Sequence, residues 1–342
     1  MKELILVTGG TGYIGSHTVV ELINEGYEVV IVDNLSNSTL DTLDGIEKIT
    51  GVRPAFEKFD LCDKPLVDQF FEKYPGLKAV IHFAASKAVG ESVELPLKYY
   101  RNNLVSLINL LESMEKYKVP SIVFSSSCTI YGQPKDLPVT EAAPILPAES
   151  PYGKTKQICE EILRDSVRAM PALEVIALRY FNPIGAHPSA LIGELPQGVP
   201  NNLIPYVTQT AAGLRDELKI FGDDYPTPDG SAIRDYIHVT DLAKAHVKAI
   251  RRLLDRKNET HFEFFNLGTG QGTSVLEIVK TFEKVTGVPV NYRIVSRRAG
   301  DIIAVWADTT KANEILGWKA VSSLEDTLLS AWNWEKKLRN LK

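Results

Sequence analysis

A tyrosine and a lysine four residues apart, Tyr152 and Lys156 in the string Tyr-Gly-Lys-Thr-Lys, are the side chains of this 342-residue chain that most directly suggest chemistry. Positions i and i+4 share a helix face, so a phenol and an ammonium would project into one space. The ammonium favours the phenolate and draws the tyrosine below its reference pKa of about 10. That gives a proton acceptor usable near neutral pH. The triplet Ser125-Ser126-Ser127 lies upstream. With a nicotinamide beside it, such a group could oxidise a sugar or alcohol hydroxyl. Tyr and Lys also meet at this spacing by chance as an exposed helix pair, so the surrounding sequence must decide.

The deciding context is the N-terminus. Gly9-x-x-Gly12-x-x-Gly15 follows the apolar run Leu4-Ile5-Leu6-Val7 and opens a helical pattern from Tyr13 to about Asn24, ended by Gly26. Glycines there allow a tight turn and close approach of backbone to a pyrophosphate, and the helix N-terminus favours its charge. Asp33 ends the next strand pattern, Glu28 to Val32. A carboxylate at that point accepts hydrogen bonds from adenosine ribose hydroxyls and repels a 2′-phosphate, which favours NAD over NADP. Asp60-Leu61 and Phe83-Ala84-Ala85 fall at later strand ends. In an open α/β sheet that edge binds ligands.

Further strand patterns at Ala55-Phe59, Ala79-Phe83, Ser121-Ser125 and Glu174-Arg179 alternate with helical segments. Repeated β-α units predict a doubly wound parallel sheet covered on both faces. After Arg179 the pattern changes. Pro and Gly crowd Pro183 to Pro205 and Gly222 to Gly230, making both stretches candidate binding loops. Thr240-Leu254 reads as a helix and Phe262-Leu267 as a strand that could rejoin the first lobe. The expected division is an NAD-binding Rossmann-type domain, 1–182 plus about 238–267, and a smaller mixed α/β lobe, about 183–237 plus 268–342. The helical stretch Leu95-Tyr117 carries Leu97, Tyr100, Leu104, Leu107, Ile108, Leu111 and Met114 on more than one face. One side would pack on the sheet; a second helix or a second subunit would cover the rest.

With 44% hydrophobic residues there is ample material for a core. A net charge of -5 implies no basic face and argues against nucleic acid as a partner. Cys62, Cys128 and Cys159 are too scattered for a disulfide framework or zinc pattern. No stretch reaches the apolar length of a membrane span, and the N-terminal run is too short for a signal peptide. A cytoplasmic protein is expected. His82 and His238 read as structural, without the clustering that metal ligands need.

Longer strings sharpen the picture. Thr8 to Gly15, Asp33-Asn34, the serine triplet and Tyr152-x-x-x-Lys156 resemble the extended short-chain dehydrogenases/reductases. His82-Phe83-Ala84, Lys87 to Ser92, Arg179 to Pro183, Gly185 to Pro188, Pro200 to Leu203, Phe221 to Tyr225, Arg234 to His238 and Arg297 to Asp301 resemble, within that group, the UDP-glucose 4-epimerase family. The resemblance implies reversible inversion at C4 of a UDP-hexose through a transient 4-keto sugar, with bound NAD and a homodimer. It implies that Tyr152 takes the O4 proton, that Ser127 hydrogen-bonds O4, and that Lys156 lowers the tyrosine pKa and holds the nicotinamide ribose. It also implies an NAD site from Gly9, Gly12, Tyr13, Ile14, Gly15, Asp33, Asn34, Asp60, Leu61, Phe83, Ala84, Lys87, Asn102 and Tyr180, with Tyr152 and Lys156. Asn182, Asn202, Leu203, Phe221, Arg234, Tyr236, Arg298 and Asp301 would hold the UDP-sugar, with Lys87, Ser127 and Tyr152. The two arginines suit a pyrophosphate, because a guanidinium matches phosphate oxygens with forked donors. Ion pairing with Asp235 or Asp301 is the bland alternative.

Related 4,6-dehydratases typically place a carboxylate just after the catalytic Ser or Thr; here Cys128 and Thr129 follow Ser127. That disfavours dehydration. A UDP-uronic acid epimerase or decarboxylase stays open, and so, outside enzymology, does an NAD-sensing regulator, although such a protein could lose the Tyr/Lys pair. Val305 falls where well-known bacterial members carry Tyr and some of broader specificity a smaller residue. The resemblance therefore implies a larger space beside the sugar, and N-acetylated UDP-hexoses as further substrates.

Overall fold

The computed structural model describes residues 2–297 and 302–341. Its first half alternates strand and helix: β1 (Leu4–Thr8), α1 (Tyr13–Asn24), β2 (Glu28–Asp33), α2 (Asp41–Thr50), β3 (Ala55–Lys58), α3 (Lys64–Lys73), β4 (Leu77–His82), α4 (Val89–Glu94), α5 (Pro96–Lys116), β5 (Ser121–Ser127), α6 (Pro151–Ala169) and β6 (Glu174–Tyr180). The chain continues with β7 (Asn182–Ile184), α7 (Leu203–Ala211), β8 (Leu218–Phe221), β9 (Ile233–Arg234), β10 (Tyr236–His238), α8 (Val239–Leu254) and β11 (Phe262–Leu267). Then come β12 (Thr273–Ser274), α9 (Val275–Thr286), β13 (Tyr292–Val295), β14 (Ala304–Val305), α10 (Thr310–Glu314) and α11 (Leu324–Arg339).

The main sheet has seven parallel strands in the order β11-β6-β5-β4-β1-β2-β3. Both faces are buried, which is why Ile5-Leu6-Val7 of β1, Ala79-Val80-Ile81 of β4 and Ile122-Val123-Phe124 of β5 read as apolar runs. Period-two alternation splits them. Ile5 and Val7 pack with α1, α2 and α8 on one face, while Leu6 packs with α3, α5 and α6 on the other. The strand order reverses between β1 and β4, and at such a switch point the crevice at the strands' carboxyl ends receives ligands.

The remaining strands form three small sheets: β10 with β7, β12-β9-β14, and β13 with β8. Helices α7, α9 and α11 pack over a third core containing Ile204, Val207, Ile220, Phe282, Leu328 and Trp332. Within the stretch assigned from sequence to the smaller lobe, Ala312, Leu316 and Trp318 instead join the core under the main sheet. The candidate interface helix is α5, preceded by the separate short α4. Its Leu107, Leu111 and Met114 are buried against the sheet, whereas Leu97 is 80% exposed and Ile108 lies at the surface.

Candidate active site

Three local devices place the Ser–Tyr–Lys group. Ser127 is the last residue of β5, and its hydroxyl accepts from Thr129 N (3.2 Å) and Thr129 Oγ1 (3.0 Å). Helix α6 starts beside it. Ser150 caps the helix by accepting from Gly153 N (3.1 Å), and Pro151 occupies the first helical position, where a missing N–H costs nothing. Tyr152 and Lys156 therefore stand one turn apart at that end. The Ser127 hydroxyl faces the Tyr152 phenol, near enough to pull its pKa down. Lys156 Nζ lies 5.9 Å from the Tyr152 ring centre and donates to Ser125 O (2.5 Å). Sequence spacing predicts this convergence, and the structure contains it.

The electrostatics differ from the expectation. Burial pushes the Tyr152 phenol up to about 12, while Ser127 pulls the other way. Burial also pushes Lys156 down to about 8. In the chain alone burial therefore governs both groups, since it disfavours the charged form of each. A cationic nicotinamide is the second positive charge that could bring the phenol down.

The cofactor edge sits at the switch point. Gly9 has φ 70° and donates its N–H to Val32 O (2.8 Å), and a Cβ there would fall 2.9 Å from Ala84 N. A Cβ on Gly15 would come 2.2 Å from Gly9 O, so side chains would fill this cradle. Gly12 caps α1 without a side-chain bond, and the first turn holds no acidic residue. Tyr13 and Ile14 begin that turn with its unpaired amides, a setting suited to a pyrophosphate. Asp33 is held rigid: Oδ1 accepts from Leu35 N (2.9 Å) and Ser38 Oγ (3.3 Å), and Oδ2 from Thr11 N (3.3 Å). Asn34 Nδ2 donates to Asp60 Oδ2 (3.1 Å), so these two predicted residues meet, next to buried Leu61. Phe83, just past β4, meets His246 in a tilted ring contact (4.7 Å), and His246 in turn meets Tyr180 (5.7 Å). The Tyr180 hydroxyl bonds the Ser125 hydroxyl. The donor set and the glycine cradle fit NAD.

Asn102 is the predicted residue on α5, but its neighbour Asn103 makes more of the structure. Asn103 Oδ1 accepts from Ser86 N (2.8 Å), while its Nδ2 donates to Ser86 O (3.0 Å) and Thr155 Oγ1 (3.0 Å). Asn102 Nδ2 donates to that same Oδ1 (3.0 Å). Asn103 thus ties the loop after β4 to helix α6. Its signal in the sequence is a polar residue four before core Leu107.

Lys87 lies 3.6 Å from Glu194 Oε1 and 5.9 Å from the Tyr13 ring centre. Asn202, the cap residue of α7 before Leu203, donates Nδ2 to the same Glu194 oxygen (2.6 Å). Glu194 therefore joins two predicted ligand residues, although sequence reading passed over it. Asn182 in β7 pairs with Tyr236 in β10. Phe221 ends β8, and Arg234 in β9 stands opposite Val305 in β14. Arg234 Nη1 donates to Ile233 O (2.8 Å), and the Asp235 carboxylate is taken up by Thr269 and backbone amides. Arg298 and Asp301 lie outside the described residues. Val305 is 4% exposed and packs with Ile130, Tyr131, Val139, Phe181 and Ala307, with Cys128 against them. Burial raises the Cys128 thiol to about 12, so it stays protonated beside Ser127. His82 Nδ1 bonds Thr8 Oγ1 (2.8 Å), and His238 caps α8 through Thr240 N (3.0 Å).

A parallel sheet of this order, a glycine turn at its switch point and a Ser–Tyr–Lys group at its carboxyl edge define an extended short-chain dehydrogenase/reductase. The family model described as NAD dependent epimerase/dehydratase family matches residues 5–268, and the chain belongs to that family. It is 55% identical over 331 residues to a UDP-glucose 4-epimerase of Bacillus subtilis, covering 97% of this chain and 96% of that one. The crystal structure of a UDP-glucose 4-epimerase from Stenotrophomonas maltophila, with bound NAD and formylated UDP-arabinopyranose, superposes with TM-score 0.95 at 48% identity, covering 99% of this chain and 100% of the other. That of Bifidobacterium longum, in complex with NAD+ and UDP, gives TM-score 0.94 at 48% identity, covering 99% and 100%.

Proposed function

We propose that this chain interconverts UDP-glucose and UDP-galactose by inversion at C4, with NAD as its cofactor. The observation that carries the reading is the meeting of Ser127, Tyr152 and Lys156 beside the glycine cradle at one edge of the sheet. Gly9 to Gly15, Asp33, Asn34, Asp60, Phe83 and Tyr180 hold NAD. The chemistry that NAD supplies when bound is removal and return of a hydride at C4. Tyr152 takes the O4 proton and later gives it back; Ser127 holds O4 during both steps. Lys156 stabilises the phenolate by its charge. Arg234, with Arg298, grips the UDP pyrophosphate, while Asn182, Asn202, Leu203, Phe221, Tyr236 and Asp301 hold the remainder. Anchoring the UDP end leaves the keto sugar free to present its other face.

The same reading has a sheet-based NAD domain, 1–182 plus about 238–267, and a UDP-sugar lobe from the rest. It includes a homodimer, supported by exposed Leu97 and Ile108 on α5. Among the described residues no helix is long and apolar enough to cross a membrane, and the three cysteines are unpaired, which fits a reducing cytoplasm. The test is turnover of UDP-glucose to UDP-galactose by the purified protein and by Tyr152→Phe. Loss of a general base is worth about 10²–10⁴-fold. No turnover by the wild type, or near-wild-type turnover by the Phe variant, overturns the assignment.

A further inference from the structure

Asp235 lies between two proposed substrate residues, Arg234 and Tyr236, and its side chain does something neither sequence motif nor burial alone explains. It is fully buried, at 0% exposure. Its carboxylate accepts four hydrogen bonds from two segments distant in sequence. Oδ1 takes Thr269 N (2.8 Å) and Thr269 Oγ1 (2.7 Å). Oδ2 takes Gly270 N (3.2 Å) and Ala307 N (3.1 Å). Gly268 leaves the room: a Cβ there would fall 2.3 Å from Oδ2.

Those donors mark structurally significant points. Residues 268–270 follow β11, the edge strand of the main sheet. Ala307 lies two residues beyond Val305, whose strand runs parallel to that of Arg234. The Asp235 carbonyl accepts from Asn182 N (3.0 Å), which brings in a further proposed substrate residue. A buried carboxylate is costly unless its lone pairs are filled, and here each oxygen carries two donors. One side chain therefore fixes the Arg234 strand against both the end of the nucleotide-binding sheet and the Val305 strand. The geometry points to Asp235 as the positioning residue of the UDP-sugar half of the site, which sets affinity for the nucleotide by locking Arg234, Asn182 and Val305 in one register. This rests on the proposed function above.

UDP affinity measured by titration calorimetry on the NAD-containing protein tests it without relying on turnover. Wild-type protein that neither binds UDP nor epimerises UDP-glucose would refute the functional reading itself. Given wild-type binding, Asp235→Asn turns one acceptor oxygen into an amide facing N–H donors. The dissociation constant for UDP and the KM for UDP-glucose should rise about tenfold or more, with kcat within about threefold and NAD content unchanged. Thr269→Val removes only the hydroxyl donor and should raise both by about threefold. It decides the matter if Asp235→Asn does not fold. Asp241 is the control: it is likewise buried and accepts from Val321 N (2.9 Å) and Ser322 N (2.8 Å). Asp241→Asn should lower the melting temperature and leave UDP affinity unchanged. If the Asp235 and Thr269 variants also lose only melting temperature, Asp235 is structural and the inference is overturned.

Discussion

Lys156→Met isolates the ammonium from the rest of the catalytic group, because methionine keeps a long apolar stem in the same buried channel. The wild-type phenol sits at about 12 in the chain. At 1.36 kcal/mol per unit, ionising it at pH 7 would cost about 7 kcal/mol, so the working complex needs nearby positive charge. Lys156 Nζ lies 5.9 Å from the Tyr152 ring centre. With an effective dielectric of about 20, that charge is worth about 332/(20 × 5.9), or roughly 2.8 kcal/mol. This equals about two pKa units, so the Met variant should turn over about a hundredfold slower at pH 7. The deficit has a defined pH signature. It is full below the wild-type apparent pKa, and it shrinks as the wild type reaches its plateau while the variant still climbs. Lys156, pushed down to about 8, loses its own charge over the same range, which brings the profiles together further. The assay is kcat against pH for both proteins, with bound NAD quantified so that cofactor loss is not mistaken for lost catalysis. A deficit of equal size at every pH, or none, would refute electrostatic stabilisation of the phenolate by Lys156.

Two further substitutions probe the frame around the site. Glu160→Gln breaks a bidentate pair with Arg179 in which both side chains are buried, so unfolding free energy should drop by about 3–5 kcal/mol. Burial works to raise the Glu160 carboxyl, but hydrogen bonds and charge from Arg179 win, leaving it below the ordinary value. The contribution is thus present above the unfolded pKa and lost as pH falls through the lower folded one. Denaturant melts of wild type and variant should converge in acid, and a constant gap would contradict this. Val305→Tyr forces a large ring into a packed cluster, costing about 1–3 kcal/mol of stability. It should depress kcat/KM for UDP-N-acetylglucosamine far more than for UDP-glucose, and an unchanged ratio would remove Val305 from the specificity determinants.

What the sequence reveals here divides by distance along the chain. Helix α1 and strand β11 carry the bounds their periodicity predicts, Tyr13–Asn24 and Phe262–Leu267, because turn glycines and apolar runs are local signals. Strand β4 begins two residues earlier than its apolar core suggests, at Leu77, where Lys78 interrupts the pattern. Tyr152 and Lys156 are legible for the same reason: their relation is a single helical turn. The residues that hold them are not. Asn103 reaches Thr155, and Glu160 links Ser126 to Arg179, across separations that no spacing rule spans. Asp235 shows why such residues mislead. Beside Arg234 in sequence it reads as an ion-pair partner, since adjacent opposite charges suggest one. In the fold its oxygens turn inward to amides near residues 269 and 307, and its neighbours Arg234 and Tyr236 are the proposed ligand contacts. A motif can mark a functional segment while concealing which of its residues touches the ligand and which holds the segment still. Only the hydrogen-bond partners separate the two, and in this chain those partners lie on strands and loops brought together by the main sheet's edge.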